Sequence, residues 1–382
     1  MKLSKLSTIE AFKNLELEWE QLNDISPKGN IFTSWLWLFT WWEIYQSDGN
    51  RELFILTCRD EENNLLGIAP FQLINNIKKY FPCGRQVIML GTGETDGSMV
   101  FGEYMDLLIS PGHEEPVIGF FSDYLYKEKH LWDGVKFHQL LDNSYISKLF
   151  SDYDESISYT KKAEGFRTII QLPDTYKAYL MTLKKKMRNN ITRTFSRLER
   201  EQEYTIETID NVDEVEGAIA LLAKLNRSRR GDMQLSSSFD QINFENYHRK
   251  LSKRILLQGN EKHDISLRIL RFKETPVAML YSFIDGDTIH AYQSGFEKEN
   301  GQRYSLLTTM LTQEISNSIK NKKLKYFNFM YSEEEATYKR RYSGVTETMY
   351  NISYDNKNLK CRFYLFLHGP VKEQVKKYII RK

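Results

Sequence analysis

The sequence has few cysteines, almost no net charge, no long apolar run and none of the short signatures of metal or hydrolytic chemistry. Its three cysteines, Cys58, Cys83 and Cys361, are odd in number, far apart and without CxxC or CxxH spacing. That argues against a disulfide framework or a zinc site and fits a reducing compartment. Lys and Arg number 53 against 51 Asp and Glu, a formal charge of +2. Such a balance supplies no global field for DNA, so any anion binding has to be local. The most apolar early stretch, Ile31 to Tyr45, is about one helix long and falls short of the roughly 20 residues that a membrane span needs. The N-terminal segment begins with Lys2 and Lys5 but soon carries Glu10, Glu16, Glu18 and Glu20, which interrupts the apolar core of a signal peptide; the expected location is the cytoplasm. The seven histidines show neither HxxxH nor HExxH spacing, and no GxSxG occurs, so a metal hydrolase or a Ser/His/Asp hydrolase is not indicated and no metal is expected.

What is present is bulk and aromatic side chain. At 382 residues with 41% hydrophobic content the chain exceeds one core and can fill two, and the expected domains are 1–165 and 166–382. The 23 Tyr, 22 Phe and 6 Trp suit wide hydrophobic walls. In the first half, Leu53 to Thr57, Leu65 to Ala69, Val87 to Leu90 and Tyr104 to Ile109 read as strands, with helices near Glu115 to Tyr126 and Ser144 to Phe150. Gly91-Thr92-Gly93-Glu94-Thr95-Asp96-Gly97 matches neither GxGxxG nor a Walker pattern and reads as a surface loop rather than a phosphate cradle. Trp35, Leu38, Phe39 and Trp42 share one helical face suited to a core; Trp37 and Trp41 fall on a neighbouring face that can line a groove. The polar stretch Ser151 to Glu164 reads as the inter-domain region.

Beyond it, Leu180, Leu183, Met187, Ile191, Phe195 and Leu198 recur with the period of one helix, and Lys184, Lys185, Lys186, Arg188, Arg193, Arg197 and Arg200 crowd the rest. That basic face is either simply solvated or an anion-docking surface. Helices near Glu214 to Arg229 and Phe239 to Gln258 lead into three strands, Asp264 to Phe272, Val277 to Ile284 and Thr288 to Ser294, joined by tight turns. A polar loop, Gly295 to Arg303, precedes a helix from Tyr304 to Ile319, then a strand from Leu324 to Met330 and a helical segment from Ala336 to Tyr342. A helix whose first turn lacks acidic side chains presents N–H groups and a positive dipole end to phosphate, as the pyrophosphate of acyl-CoA requires. Gln302, Arg303, Tyr304, Ser305 and Leu306 stand at that start. A thioester lying along Tyr292-Gln293-Ser294 would find backbone N–H groups to polarise its carbonyl. Glu333, with Glu334 and Glu335 beside it, is the candidate general base, and Tyr338 or Tyr342 the candidate acid for a leaving thiolate.

Three stretches carry a family resemblance: Phe32-Thr33-Ser34-Trp35-Leu36-Trp37-Leu38-Phe39-Thr40-Trp41-Trp42-Glu43; the basic run Leu183 to Glu199; and Ala291-Tyr292-Gln293-Ser294-Gly295-Phe296 through Tyr304-Ser305-Leu306 and Phe327-Asn328-Phe329 to Tyr338-Lys339-Arg340-Arg341-Tyr342. The chain resembles the GNAT acyltransferases grouped around the CelD/BcsL cellulose-biosynthesis proteins, distant relatives of the FemABX aminoacyl transferases. The resemblance implies a mixed α/β (α+β) architecture, a tandem double GNAT (acyl-CoA N-acyltransferase) fold with mixed sheets flanked by helices. It implies transfer of an acyl group, usually acetyl, from acetyl-CoA or another acyl-CoA to an amine or hydroxyl of a saccharide or polysaccharide precursor, beside other envelope-polysaccharide enzymes. An aminoacyl-tRNA donor and a catalytically degenerate scaffold are the alternatives. The sequence departs from the family pattern at Ser305-Leu306-Leu307, where Ser-Pro-Gly is frequent, and at Asn328-Phe329-Met330, where Asp-Phe and a glycine are frequent; the stretch before Tyr338 is also longer.

Overall fold

The computed structural model describes residues 1–47, 50–75, 84–151, 153, 156–232, 236–335 and 338–357. Cys83, Cys361, His368 and Ala336 lie outside the described residues. By contacts the chain divides into two units. The first takes residues 1–93, 104–164 and 349 onward, and the second takes 94–103 and 165–348. The boundary expected at 165 thus comes with two exchanges, a ten-residue loop going to the second unit and the last strand returning to the first.

The first unit begins with strand β1 (Lys2–Leu6) and helices α1 (Ile9–Asn14), α2 (Glu16–Ile25) and α3 (Trp35–Tyr45). Ser34 caps α3 by accepting from Trp37 N at 3.2 Å, as an N-cap serine should. Nine of the eleven α3 residues are buried. Trp37 and Trp41 are both 0% exposed, so they line no open groove. The helix is apolar on all sides and is therefore enclosed on all sides. Buried indoles still need acceptors: Trp19 donates to Thr33 O at 2.8 Å and Trp35 to Phe12 O at 2.9 Å. Strands β2 (Arg51–Leu53), β3 (Ile55–Arg59), β4 (Leu65–Ala69), β5 (Phe71–Asn75), β6 (Arg85–Met89) and β7 (Leu108–Ile109), helix α4 (Glu114–Lys127) and strand β8 (Gly134–Leu140) follow. They build a small sheet ordered β1-β3-β4-β7 and a second one in which β2, β5, β6, β8 and the final strand are neighbours. Only residues 108–109 of the strand expected from Tyr104 to Ile109 are extended. Tyr104 has φ 42°, and the Asp106 carboxylate gathers the N–H groups of Leu107, Tyr145 and Ile146 instead.

Strand β9 (Ile157–Gln171) occupies part of the polar stretch expected to be the inter-domain region, and its residues from 165 onward belong to the second unit. Helices α5 (Tyr176–Thr182) and α6 (Lys185–Glu201) come next. The single helix expected across Leu180 to Leu198 is broken at Leu183, which is extended at φ −75°, ψ 149°, because Leu183 turns into the core at 2% exposure. Strand β10 (Tyr204–Ile209), helices α7 (Val215–Asp232) and α8 (Ile242–Gln258), strands β11 (His263–Phe272), β12 (Thr275–Asp285) and β13 (Thr288–Phe296), helices α9 (Lys298–Arg303) and α10 (Leu306–Lys320), and strands β14 (Tyr326–Ser332) and β15 (Val345–Asn356) complete the order. The polar loop expected at Gly295 to Arg303 is thus the end of β13 plus a short helix, where Gly301 sits so close to the Phe296 ring that a Cβ would lie 2.6 Å from it. In the second unit the strands run β10-β11-β12-β13-β14-β9, antiparallel except for β13 with β14. Alternation along β12 sends Ala278 and Leu280 into one core with Met310, Leu311 and Ile315 of α10. Tyr281 and Phe283 point the other way, toward His248 of α8.

Candidate active site

The parallel ladder between β13 and β14 is three residues long: Thr288, Ile289 and His290 pair with Tyr326, Phe327 and Asn328. Local chemistry ends it there. On β13 the register with β12 jumps from Tyr281↔Gln293 to Ser282↔Ala291, which leaves Tyr292 as a bulge. On β14 the pairing with β9 skips from Asn328↔Ile169 to Tyr331↔Arg167, and Met330 takes φ 62°. Asn328 Oδ1 holds that kink by accepting from Met330 N at 2.9 Å, while its amide nitrogen lies 3.2 Å from His290 Nδ1. Lys339 Nζ clamps it from the other side, donating to Met330 O at 2.8 Å and Tyr331 O at 2.5 Å.

The divergence opens a cavity of about 290 Å³. Ala291, Tyr292, Gln293 and Ser294 form one wall, Phe329 to Ser332 the other, and Leu307 and Leu311 of α10 pack beneath. Gly295 lets α7 lie directly on β13, since a Cβ there would stand 2.4 Å from Asn226 N. From α7, Asn226 Nδ2 reaches Ser294 O at 2.8 Å, and Arg229 Nη1 reaches Ser294 Oγ at 2.5 Å. Burial lowers Arg229, with the Tyr338 hydroxyl opposing.

Glu103 and Lys339 complete the polar lining. Glu103 is 1% exposed; Oε1 accepts from Tyr331 N, whereas Oε2 is buried without a hydrogen-bond partner. Burial pushes its carboxyl up to about 7, against the pull of the Tyr331 N–H and of Lys339 and Arg167. The same burial brings Lys339 down, opposed by Glu103. Asp106, three residues on, is also 2% exposed, but three backbone N–H groups satisfy it. A buried carboxylate with complete partners is structural; one in a cavity lining that leaves an oxygen unpaired is a candidate for proton transfer.

Of the residues expected from sequence, Tyr292, Gln293, Ser294 and Tyr338 line the cavity. Tyr338 is 39% exposed as a whole residue; desolvation raises its phenol, against the pull of the Arg229 charge. Glu333 is exposed and outside the lining, and Glu335 pairs with Arg340 at 3.1 Å. Tyr342 is buried in the core, 5.0 Å from the Phe329 ring, and also outside the lining. Gln302 and Arg303 belong to α9; Arg303 is exposed and paired with Glu201 at 2.8 Å, which brings Glu201 down to about 2. Tyr304 is buried and accepts from Gln202 Nε2 at 2.8 Å, Ser305 begins α10 in the left-handed region at φ 45° without a side-chain cap, and Leu306 is buried. Glu103, Arg229 and Lys339 were not expected as site residues. Glu103 had one legible signal: with Asp106 it interrupts an otherwise apolar run from Val100 to Ile109.

Residues 185–340 match the sequence profile of the acetyltransferase (GNAT) domain. Among curated proteins no sequence match is found. Among solved structures, FemX superposes with a TM-score of 0.62 at 8% identity, covering 96% of this chain and 99% of its own. A conserved protein of unknown function from Bacteroides thetaiotaomicron gives 0.54 at 13%, covering 93% and 99%. L-PGS from Bacillus licheniformis gives 0.50 at 14%, covering 91% and 92%. Among the described residues no helix is long and apolar enough to cross a membrane. Residues 185–340 therefore carry a GNAT acetyltransferase domain, set in a mixed α/β fold similar to that of FemX.

Proposed function

We propose that the second unit transfers an acyl group from acyl-CoA, acetyl-CoA first among the candidates, to an amine or hydroxyl of a saccharide or envelope-polysaccharide precursor. The observation that carries the reading is the opening between β13 and β14, with Glu103, one carboxylate oxygen of which has no partner, in its lining. A thioester carbonyl between two diverging strands meets backbone N–H groups that the ladder no longer uses. The first turn of α10 has no acidic side chain and no side-chain cap, so its N–H groups and dipole suit the pyrophosphate.

In the reaction Glu103 takes the proton of the acceptor N–H or O–H. The acceptor atom forms its bond to the acyl carbon, the carbon–sulfur bond breaks, and the thiolate takes a proton from Tyr338. A base raised toward neutrality is matched to that task. Lys339, beside Glu103, favours its ionised form and keeps the kinked β14 backbone in place. The test is thiol release from acetyl-CoA in the presence of amino sugars and sugar nucleotides. Release that depends on acceptor supports the reading; no release with any acyl-CoA or acceptor, by protein that is folded, refutes it. An aminoacyl-tRNA donor is the competing reading, favoured by the likeness to FemX. Activity abolished by ribonuclease would select it.

A further inference from the structure

We infer that the face formed by the start of α6 and the segment after Tyr342 docks on an anionic lipid surface. From residue 175 to residue 198 the chain has no acidic side chain and seven cations: Lys177, Lys184, Lys185, Lys186, Arg188, Arg193 and Arg197. Lys186, Arg193 and Arg197 fall on one stripe of α6, and all three are exposed. Helix stability does not account for this crowding, because the positive end of a helix dipole opposes lysines in the first turn. The second observation is apolar. Met181 and Val345 are each 67% exposed. They are brought together where Ser343 Oγ donates to Thr182 O at 2.8 Å and Tyr179 Oη to Tyr342 O at 3.4 Å. Arg188 Nη1 fixes the same corner through Leu183 O at 2.7 Å.

An exposed methionine and valine beside a lysine-rich stretch of chain match a bilayer interface, which takes apolar side chains below its headgroups and cations among its phosphates. A nucleic-acid backbone would use the cations alone. The acidic groups nearest this face are Asp174 just before the cationic stretch, Glu347 two residues past Val345 and held by Arg167, Glu333, Glu334 and Glu335 before Tyr338, with Glu335 held by Arg340, and Glu199 and Glu201 at the far end of α6. The turn Tyr338–Tyr342 links this face to the cavity. At about 2 Å per residue it sets the two roughly 8 Å apart along the chain. The inference stands on surface chemistry and is independent of acyl transfer.

The experiment is vesicle flotation with the full chain, comparing phosphatidylcholine alone with equal parts phosphatidylcholine and phosphatidylglycerol. Binding to the anionic vesicles only is expected. It should weaken at least tenfold when salt rises from 0.1 M to 1 M, as the screening length shrinks from about 10 to about 3 Å. Lys184→Ser, Lys185→Ser and Lys186→Ser together should remove binding. Met181→Ser with Val345→Ser should weaken it several-fold with its salt dependence unchanged; these positions are exposed, and equal thermal melting verifies folding. Equal binding to both vesicle types, no binding to either, or binding indifferent to both variants overturns the inference. So does salt-sensitive binding of RNA without vesicle binding, which would assign the face to nucleic acid.

Discussion

At the scale of single residues, two buried acids three positions apart differ in how far they are satisfied. Asp106 has three N–H donors, whereas Glu103, a residue of the cavity lining, has one donor and a buried oxygen without a partner. Glu103→Gln removes the base but keeps the shape, so we expect transfer to fall by about 100-fold or more with acyl-CoA affinity unchanged, measured by kcat and by titration. The pH profile carries a sign. Protonated Glu103 cannot accept a proton, so kcat/KM should climb with pH through an apparent value near 7, above the ordinary carboxyl range, and that limb should vanish in the variant. Stability moves the opposite way. A carboxyl raised in the folded state stabilises the fold fully below its unfolded value of 4.5, and that contribution is lost as pH rises through about 7. Wild type should therefore lose stability against Glu103→Gln across that window in urea titrations at successive pH values. Asn328 acts through the backbone. Asn328→Ala leaves the Met330 N–H buried and unpaired, which should cost about 1–3 kcal/mol in denaturant unfolding and raise KM for acyl-CoA more than it lowers kcat.

At the scale of elements, patterning made most of the second unit legible. Strands β11 to β14 and helices α7, α8 and α10 lie within a few residues of where alternation, periodicity and turn residues put them. Other elements depart from the pattern for definable reasons. Ser151 to Glu164 is polar because β9 presents much of that length to solvent, so it lacks the apolar run that announces a strand. The continuous helix across Leu183 was suggested by a periodicity that two successive helices can also produce. Nothing in a single sequence distinguishes a strand that stays paired from one that splits, since the opening between β13 and β14 depends on a bulge at Tyr292 and a left-handed Met330. Met330 stands where the resembling family often has glycine, and here an asparagine side chain holds the conformation that glycine adopts freely. The wall of the opening also depends on close approach. Gly295→Ala should push α7 away from β13 and cost about 1–3 kcal/mol, read as a lower denaturant midpoint with unchanged slope.

At the scale of the whole molecule, length and composition suggest two domains, but they carry no sign of the exchange of segments between the two contact-defined units. The domain profile covers residues 185–340, whereas the carboxylate facing the cavity is residue 103, carried by the 94–103 segment that packs with the second unit. The hydrogen bond from Tyr331 N to Glu103 joins positions 228 apart in sequence, a separation at which no local pattern operates. Sequence proximity to Tyr338 points instead to Glu333, Glu334 and Glu335 as the base. The central claim is that acyl-CoA enters between β13 and β14. Hydrogen–deuterium exchange of the full chain with and without acetyl-CoA tests it most directly. The account predicts slowed exchange confined to residues 291–294, residues 329–332 and the first turn of α10. Unchanged exchange in all three segments at saturating acetyl-CoA, or protection only elsewhere, would contradict it.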